Sequence, residues 1–319
     1  MNTMRIVVTG GSGFIGSNLV DRLMREGHHV TVVDNLKGGR KEFIAPHFSS
    51  KRFKFFEIDV RDTTKLEKTL NSKIDLVYHL AANSDISRGV EDPTLDLEHS
   101  ILATFSLLQV MRAHNIKKLV YTSGSGVYGD IGAKFADETL GPLRPVSIYG
   151  ASKLSAEALI SAFSHLFDFQ AWILRPANII GPRVTHGVVF DFIKRLKKDP
   201  SHLRILGDGK QSKAYLHVDD VLDALMLVQK KSKDRVNFYN LSSTSFISVN
   251  AIANEVLSAM RIKKTPKQHT GGKGGWKGDV PIMRLHNNKL HRLGWRPRYT
   301  SKQAVKATIQ SLLSDPRME

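Results

Sequence analysis

The chain alternates short apolar runs with longer segments in which apolar residues recur every three to four positions. The short runs are rich in β-branched residues and predict strands covered on both faces, at residues 5–9, 29–34, 53–58, 76–80, 118–122 and 170–174. The longer segments predict helices at residues 14–25, 65–70, 93–114 (with Asp92 as its N-cap) and 147–166. This alternation predicts an α/β fold built on a Rossmann-like, doubly wound parallel sheet.

The texture of the sequence changes after Ser123, where glycine and proline turns begin to break the chain into shorter elements. We therefore expect a first domain over residues 1–175 and a smaller, mixed α/β domain over residues 176–319. The apolar segment 237–241 is able to return to the first sheet, so some later segments are expected to rejoin the first domain.

Composition is that of a globular protein, with 41% hydrophobic and 24% charged residues in 319. Cysteine is absent, which excludes disulfides, thiolate nucleophiles and zinc sites that need sulfur, and any redox chemistry must use a cofactor. No histidine spacing typical of a metal site occurs, so no metal is expected. Without a signal-peptide pattern or a run of 18 apolar residues, the sequence predicts a soluble, cytoplasmic protein that does not span a membrane.

The charge is strongly positive, with 47 Lys and Arg against 30 Asp and Glu, a formal +17. Residues 261–298 carry eleven of these cations and a single acid, Asp279. Such a surface attracts anions, either a phosphorylated small molecule or nucleic acid. Apolar anchors such as Trp276 and Trp295 interrupt the segment, which favours a phosphorylated substrate over nucleic acid.

Three glycines, Gly10, Gly13 and Gly16, lie between the first predicted strand and the first helix. In this spacing the first permits a tight turn, the second lets the backbone approach a pyrophosphate, and the third lets the helix pack against the strand. Asp34 ends the second strand, 18 residues beyond Gly16. Because a carboxylate there accepts the ribose hydroxyls and repels a 2′-phosphate, the pattern predicts NAD rather than NADP.

Tyr149 and Lys153 are four residues apart and therefore lie on one face of the predicted helix. An ammonium beside a phenol favours the phenolate and lowers the pKa of the phenol toward neutrality. The pair predicts a general base that takes a proton from a sugar hydroxyl.

With these motifs the chain resembles the extended short-chain dehydrogenase/reductase family, and within it the NAD-dependent nucleotide-sugar epimerases and dehydratases, the UDP-glucose 4-epimerases above all. The resemblance covers nearly the whole chain. It is carried by residues 9–16, 34–36, 59–60, 79–82, 127–129, 149–153, 175–178, 216–220, 278–281 and 293–295.

The resemblance implies where a cofactor and a substrate bind. Implied NAD contacts are Gly10, Gly13, Phe14, Ile15, Gly16, Asp34, Asn35, Asp59, Val60, Leu80, Ala81, Ala82, Tyr149, Lys153 and Pro176. Implied contacts to the diphosphate of a UDP-sugar are Asn178, Lys213 and Lys277. It also implies a homodimer, and a mechanism in which the sugar is oxidised at C4, turns as a 4-keto sugar, and takes the same hydride back on its other face.

One departure affects the expected catalytic group. Where the family has a Ser or Thr that hydrogen-bonds the reacting oxygen, this chain has Gly124, flanked by Ser123 and Ser125. Either serine can substitute for the missing hydroxyl, or both merely cap the strand end.

The resemblance leaves rival functions open. The Asp-Glu pair that a dehydratase uses is replaced by Ser125 and Gly126, which disfavours elimination. Epimerases of UDP-glucuronate or of UDP-N-acetylhexosamines stay open, as does a catalytically weakened NAD- or RNA-binding regulatory protein.

Overall fold

The computed structural model describes residues 3–272, 274–276 and 278–318. These residues form two compact units, each assembled from separate stretches of the chain. Unit 1 comprises the described residues up to Val127, Ser147–Arg175 and Leu225–Tyr239. Unit 2 comprises Tyr128–Val146, Pro176–Ala224 and the described residues from Asn240 onward.

Strands and helices alternate along the first half of the chain and become shorter in the second. The strands are β1 Arg5–Thr9, β2 His29–Asp34, β3 Phe53–Glu57, β4 Leu76–His79, β5 Lys118–Thr122, β6 Phe135–Ala136, β7 Gln170–Pro176, β8 Asn178–Ile180, β9 Leu203–Ile205, β10 Ser212–Lys213, β11 Tyr215–His217, β12 Val236–Leu241, β13 Ile247–Ser248, β14 Lys267–His269 and β15 Ile282–Leu285. The α-helices are α1 Phe14–Arg25, α2 Thr63–Thr69, α3 Ile86–Glu91, α4 Thr94–Asp96, α5 Ala103–Ala113, α6 Ile148–Phe167, α7 Val188–Lys198, α8 Val218–Lys231, α9 Val249–Ala259, α10 Asn288–Arg292 and α11 Ser301–Leu313.

Seven strands form the main sheet, in the order β12-β7-β5-β4-β1-β2-β3. Each pair from β3 through to β7 is parallel. The strand order reverses direction between β1 and β4, so the carboxyl ends of these strands flank a topological switch point. The predicted doubly wound α/β fold is confirmed.

One hydrophobic cluster of unit 1 lies between this sheet and the helices on one of its faces. Val7, Val77, Leu107, Leu119 and Ile160 are all inaccessible to solvent in this cluster. Burial of such a side chain contributes roughly 1.5–3 kcal/mol. This packing fixes the strands of the sheet, and it thereby fixes the positions of their carboxyl ends in unit 1.

The helix predicted over residues 93–114 is present, but it is not α-helical throughout. The segment consists of α4, a π-helix over Leu97–Leu102 and then α5. The expected N-cap also differs, since Pro93 occupies that position while the Asp92 carboxylate accepts the Thr94 N–H at 3.0 Å. Apolar periodicity does not distinguish 3.6 residues per turn from a wider local turn, and π-turns are frequent at functional sites.

Unit 2 contains smaller sheets, helices α7 and α9 to α11, and the first half of α8, whose residues from Leu225 onward belong to unit 1. One sheet has four strands in the order β13-β10-β15-β6, and two further sheets pair β11 with β8 and β14 with β9. Helices α7, α9 and α11 pack on one another, and α11 also packs on β11. Among the described helices, none combines the length and apolar character needed to span a bilayer.

Candidate active site

The glycine-rich turn joins β1 to α1 at the carboxyl edge of the sheet. Gly10 has φ +70°, and a Cβ there would lie 2.7 Å from the backbone nitrogen of Ala81. A Cβ on Gly16 would lie 2.1 Å from the Gly10 carbonyl oxygen, so the first turn of α1 packs directly on the loop. Gly13 is the N-cap of α1 and provides no side-chain cap. The positive end of the helix therefore remains available to an anion.

Asp34, at the end of β2, lies against this loop. Its carboxylate accepts the Ser12 N–H at 2.9 Å and the Leu36 N–H at 2.8 Å. Burial raises the pKa of Asp34, and these two hydrogen bonds oppose that shift. Four lone-pair directions on a carboxylate leave two for further donors, such as a pair of hydroxyls.

Asp59 follows β3 and is held by two neighbours. Arg61 donates to both carboxylate oxygens, each at 3.0 Å, and Asn35 donates at 3.0 Å. Although burial works in the opposite direction, the hydrogen bonds from Arg61 and Asn35 hold the pKa of Asp59 well below its usual range. Val60, the next residue, is buried.

The end of β4 meets the end of β1. The Leu80 N–H donates to the Thr9 carbonyl oxygen at 3.1 Å, and the Ala81 N–H to the Thr9 hydroxyl at 3.4 Å. Ala81 and Ala82 are half-buried. The structure thus brings the Leu80–Ala82 backbone to the glycine loop.

Helix α6 carries Tyr149 in its first turn and Lys153 one turn later. The helix begins there because the Ser147 side chain caps it, accepting the Gly150 N–H at 3.1 Å. Lys153 is buried and donates to the Thr122 carbonyl oxygen at 2.9 Å. Its Nζ lies 5.7 Å from the centre of the Tyr149 ring and 5.0 Å from that of Tyr121.

The direction expected for the pKa of Tyr149 is wrong. Burial raises the pKa of Tyr149 to about 12, and the negative charge of Asp96 adds to the effect. Burial also lowers the pKa of Lys153 to about 8, although Asp96 and Glu157 oppose that shift. The cost of charging a phenol that is partly removed from water outweighs the attraction of a single ammonium whose hydrogen bond goes to a backbone carbonyl.

Gly124 leaves space beside the phenol. A Cβ there would lie 3.7 Å from the Tyr149 hydroxyl oxygen, which is ordinary contact. Ser123 is buried, and its hydroxyl has no hydrogen-bond partner among the described residues. Ser125 is half-buried at the start of a short 3-10 turn, Ser125–Tyr128.

Two buried carboxyl groups near Tyr149 and Lys153 lie outside the sequence motifs. Glu157 forms a two-point ion pair with Arg175, at 3.0 and 2.7 Å. Asp96 is completely inaccessible to solvent and interacts electrostatically with Tyr149 and Lys153. A sequence signal for Asp96 exists, because it shares the spacing i, i+4, i+7 with Ser100 and Ala103, both buried.

Unit 2 contains Pro176, which was expected at the cofactor, and Asn178 and Lys213, which were expected at the substrate. Pro176 is buried at the end of β7, and Asn178 is half-buried at the start of β8. Lys213, in β10, makes a 2.5 Å ion pair with the buried Asp279. The expected contact at Lys277 lies outside the described residues.

Comparison with known proteins agrees with this geometry. The family model "NAD dependent epimerase/dehydratase family" matches residues 6–242. A UDP-glucose 4-epimerase of Mycolicibacterium smegmatis is 31% identical over 313 residues, covering 96% of this chain and 98% of that protein.

Solved structures give the same result. The UDP-glucose 4-epimerase of Thermus thermophilus in complex with NAD is 31% identical, with a TM-score of 0.87, covering 98% of this chain and 99% of that one. The dTDP-glucose 4,6-dehydratase DesIV of Streptomyces venezuelae, solved with NAD and TYD bound, is 25% identical, with a TM-score of 0.90, covering 99% of this chain and all of that one. This chain therefore belongs to the NAD-dependent epimerase/dehydratase family, for which NAD is the cofactor.

Proposed function

We propose that this protein is a nucleotide-sugar 4-epimerase that interconverts UDP-glucose and UDP-galactose. The observation that carries the proposal is the half-buried Tyr149 beside the buried Lys153 and Gly124, followed by Ser125 and Gly126. A base beside the sugar supports oxidation and reduction at C4. Elimination of water needs an additional acid and base, which these two positions do not supply.

The residues around the glycine loop fit NAD. The uncapped start of α1 offers the backbone N–H groups of Phe14, Ile15 and Gly16 to a pyrophosphate. Gly10 and Gly13, whose own N–H groups donate to the Val33 and Gly10 carbonyl oxygens, let the backbone of the turn approach it. The remaining lone pairs of Asp34 suit the two hydroxyls of the adenosine ribose. The same fit assigns the adenine to Asn35, Asp59 and Val60, and the rest of the cofactor to Leu80, Ala81, Ala82, Tyr149, Lys153 and Pro176.

Bound NAD supplies a reversible hydride acceptor at the sugar C4. The task of Tyr149 is to accept the proton of the 4-hydroxyl and later to return a proton to the 4-oxygen of the inverted sugar. Because burial raises the pKa of Tyr149 to about 12, the phenolate needs positive charge nearby, part of which Lys153 provides.

The nucleotide diphosphate is assigned to unit 2, at Asn178, Lys213 and Lys277. The ion pair with Asp279 orients Lys213 and leaves two of its three ammonium donors for other acceptors. Trp276 is 44% exposed, and the centre of its ring lies 5.1 Å from the Lys213 ammonium. It therefore adds an exposed aromatic surface beside Lys213. The excess of basic residues in 261–298 accords with a doubly charged ligand.

We also propose a homodimer, in the cytoplasm, where NAD and UDP-sugars are both supplied. The support for assembly is the exposure of large apolar side chains on the π-helix, α5 and α6 of unit 1, which pack on one another. Leu97, Leu102, Phe105 and Leu166 are 38–72% exposed there. Exposed apolar side chains on neighbouring helices favour an interaction surface. Light scattering coupled to gel filtration should give twice the 35.6 kDa chain mass, and the charge-introducing variant Leu166→Glu should lower it.

The decisive experiment incubates the protein and NAD with UDP-glucose, UDP-glucuronate and UDP-N-acetylglucosamine in separate reactions, read by proton NMR. We expect a C4-inverted product from UDP-glucose and none from the Tyr149→Phe variant. If only a different sugar is inverted, that sugar takes the place of UDP-glucose as the substrate. A 4-keto-6-deoxy product would mean that the reaction is an elimination and not an epimerisation. Binding of NAD or RNA without any turnover would support a regulatory protein instead.

A further inference from the structure

Asp96 is a buried acid that the proposed chemistry does not use. Its side chain is inaccessible to solvent at the end of α4, one residue before the π-helix. The Asn83 amide donates to Oδ1 at 3.0 Å, whereas Oδ2 has no hydrogen-bond partner among the described residues. An enclosed carboxylate with an unpartnered oxygen is costly unless an opposite charge compensates it.

The α4 and π-helical segment packs against α6, the helix that carries Tyr149 and Lys153. Lys153 is as enclosed as Asp96, and its ammonium has three donors but a single hydrogen bond in the described structure, to the Thr122 carbonyl oxygen. The other acid whose charge affects the pKa of Lys153 is Glu157, which forms an ion pair with Arg175. Burial raises the pKa of Asp96, whereas the hydrogen bond from Asn83 and the positive charge of Lys153 oppose that shift. Asp96 is therefore the acid whose charge is left to balance Lys153.

We propose that Asp96 is a positioning residue of the active site, whose carboxylate is the buried counter-ion that keeps Lys153 charged beside Tyr149. The proposal rests on the proposed function only in the role given to Lys153. The same negative charge disfavours the phenolate of Tyr149, so Asp96 acts on both members of the pair.

Other titratable groups also face this arrangement. Asp96 is approached by His99 from the π-helix, and Lys153 by Glu157 on its own helix, His79 from β4 and Tyr121 from β5. Burial lowers the pKa of His79 to about 3, so His79 is neutral throughout the range in which Lys153 titrates. Burial keeps Tyr121 protonated in the same range by raising its pKa.

The test is the titration of Lys153 itself, followed by nitrogen-15 NMR of the lysine side chains in the full-length protein without substrate. The Lys153→Met variant identifies the resonance. We expect a midpoint near pH 8 in the unmodified protein and a midpoint lower by about one pH unit or more in Asp96→Asn. Glu91→Gln removes an exposed acid from the neighbouring α3 and should leave the midpoint unchanged.

A measurement on the unmodified protein covers the case in which Asp96→Asn does not fold. The carbon-13 signal of the Asp96 carboxyl should report an ionised group from pH 6 upward, with a small step at the Lys153 midpoint. An Asp96 carboxyl that stays protonated to pH 8, or a folded Asp96→Asn protein with an unshifted Lys153, overturns the proposal.

The pH dependence of turnover adds an independent check. Loss of the negative charge lowers the pKa of both Tyr149 and Lys153, so both limbs of the profile should move to lower pH in Asp96→Asn. A merely structural role would reduce turnover without moving the limbs together. Failure of the proposed epimerase activity leaves the NMR result intact, so the two proposals fail separately.

Discussion

Restoring a hydroxyl at residue 124 tests the proposed active site directly. Gly124→Ser places a Cβ 3.7 Å from the Tyr149 hydroxyl oxygen, and the serine Oγ extends one bond further. Gly124 does not occupy the left-handed region of backbone conformation, so serine fits without strain. The new hydroxyl should donate a hydrogen bond to the oxygen at which charge develops.

The magnitude follows from what such a donor contributes. Loss of one preorganised donor to a developing oxyanion costs about 2.7–4 kcal/mol, or roughly 10² to 10³ in rate. The buried Ser123 hydroxyl has no described partner and can supply part of this effect already. We therefore expect kcat to rise by about tenfold to a hundredfold in Gly124→Ser.

The assay is C4 inversion of UDP-galactose at saturating sugar and NAD, followed by proton NMR. Gly124→Ala is the matched control, because it adds the same Cβ without a hydroxyl and should leave kcat close to that of the unmodified protein. Ser123→Ala and Ser125→Ala, made singly in both backgrounds, show which neighbouring hydroxyl acts when Gly124 is present. If Ser123 or Ser125 substitutes for the missing hydroxyl, its change to Ala should lower kcat less in the Gly124→Ser background than in the unmodified one.

Two results would refute this reasoning. Equal acceleration by Gly124→Ala and Gly124→Ser would mean that packing of the loop, and not a hydrogen bond, limits the rate. A folded, NAD-binding Gly124→Ser protein with unchanged kcat would mean that the substrate oxygen does not lie between residue 124 and Tyr149.

Three further predictions follow from unit 1. Asp34→Ser should remove the repulsion of a 2′-phosphate and raise the affinity for NADPH relative to NADH, measured by fluorescence titration. If the ratio of the two affinities is the same in the variant and in the unmodified protein, the assignment of the ribose to Asp34 is contradicted. Glu157→Ala should remove the carboxylate that forms two hydrogen bonds with the Arg175 guanidinium and lower the free energy of unfolding in urea by about 3–5 kcal/mol; a loss under about 1 kcal/mol would argue against a buried pair. Since the folded-state pKa of Asp59 lies below its ordinary value, the stabilisation from its carboxylate is complete above about pH 5 and is lost as the pH falls below the ordinary value of 3.8. The difference in unfolding free energy between the unmodified protein and Asp59→Asn, measured without cofactor, should therefore shrink over that range. A difference that stays constant would contradict the ion pair.

Local patterns sufficed for much of this protein. The bounds of β1, α1, β2 and β5 agree with the predicted ones, because buried strands and amphipathic helices leave their period in a few consecutive residues. The glycines of the first turn and the four-residue spacing of Tyr149 and Lys153 are likewise local. NAD as the cofactor followed from the loop together with Asp34, which is only one strand away.

Tertiary structure decided what depends on contacts between distant segments. The Lys213 ammonium is paired with Asp279, 66 residues further along, and the segment 93–114 is interrupted by a π-helix that packs against α6. The pKa of Tyr149 rises because the fold takes the phenol partly out of water and adds the negative charge of Asp96, 53 residues earlier in the chain. Spacing along a helix determines which side chains are neighbours, whereas the charge that each can carry depends on the water and the opposite charges that the rest of the chain leaves around it.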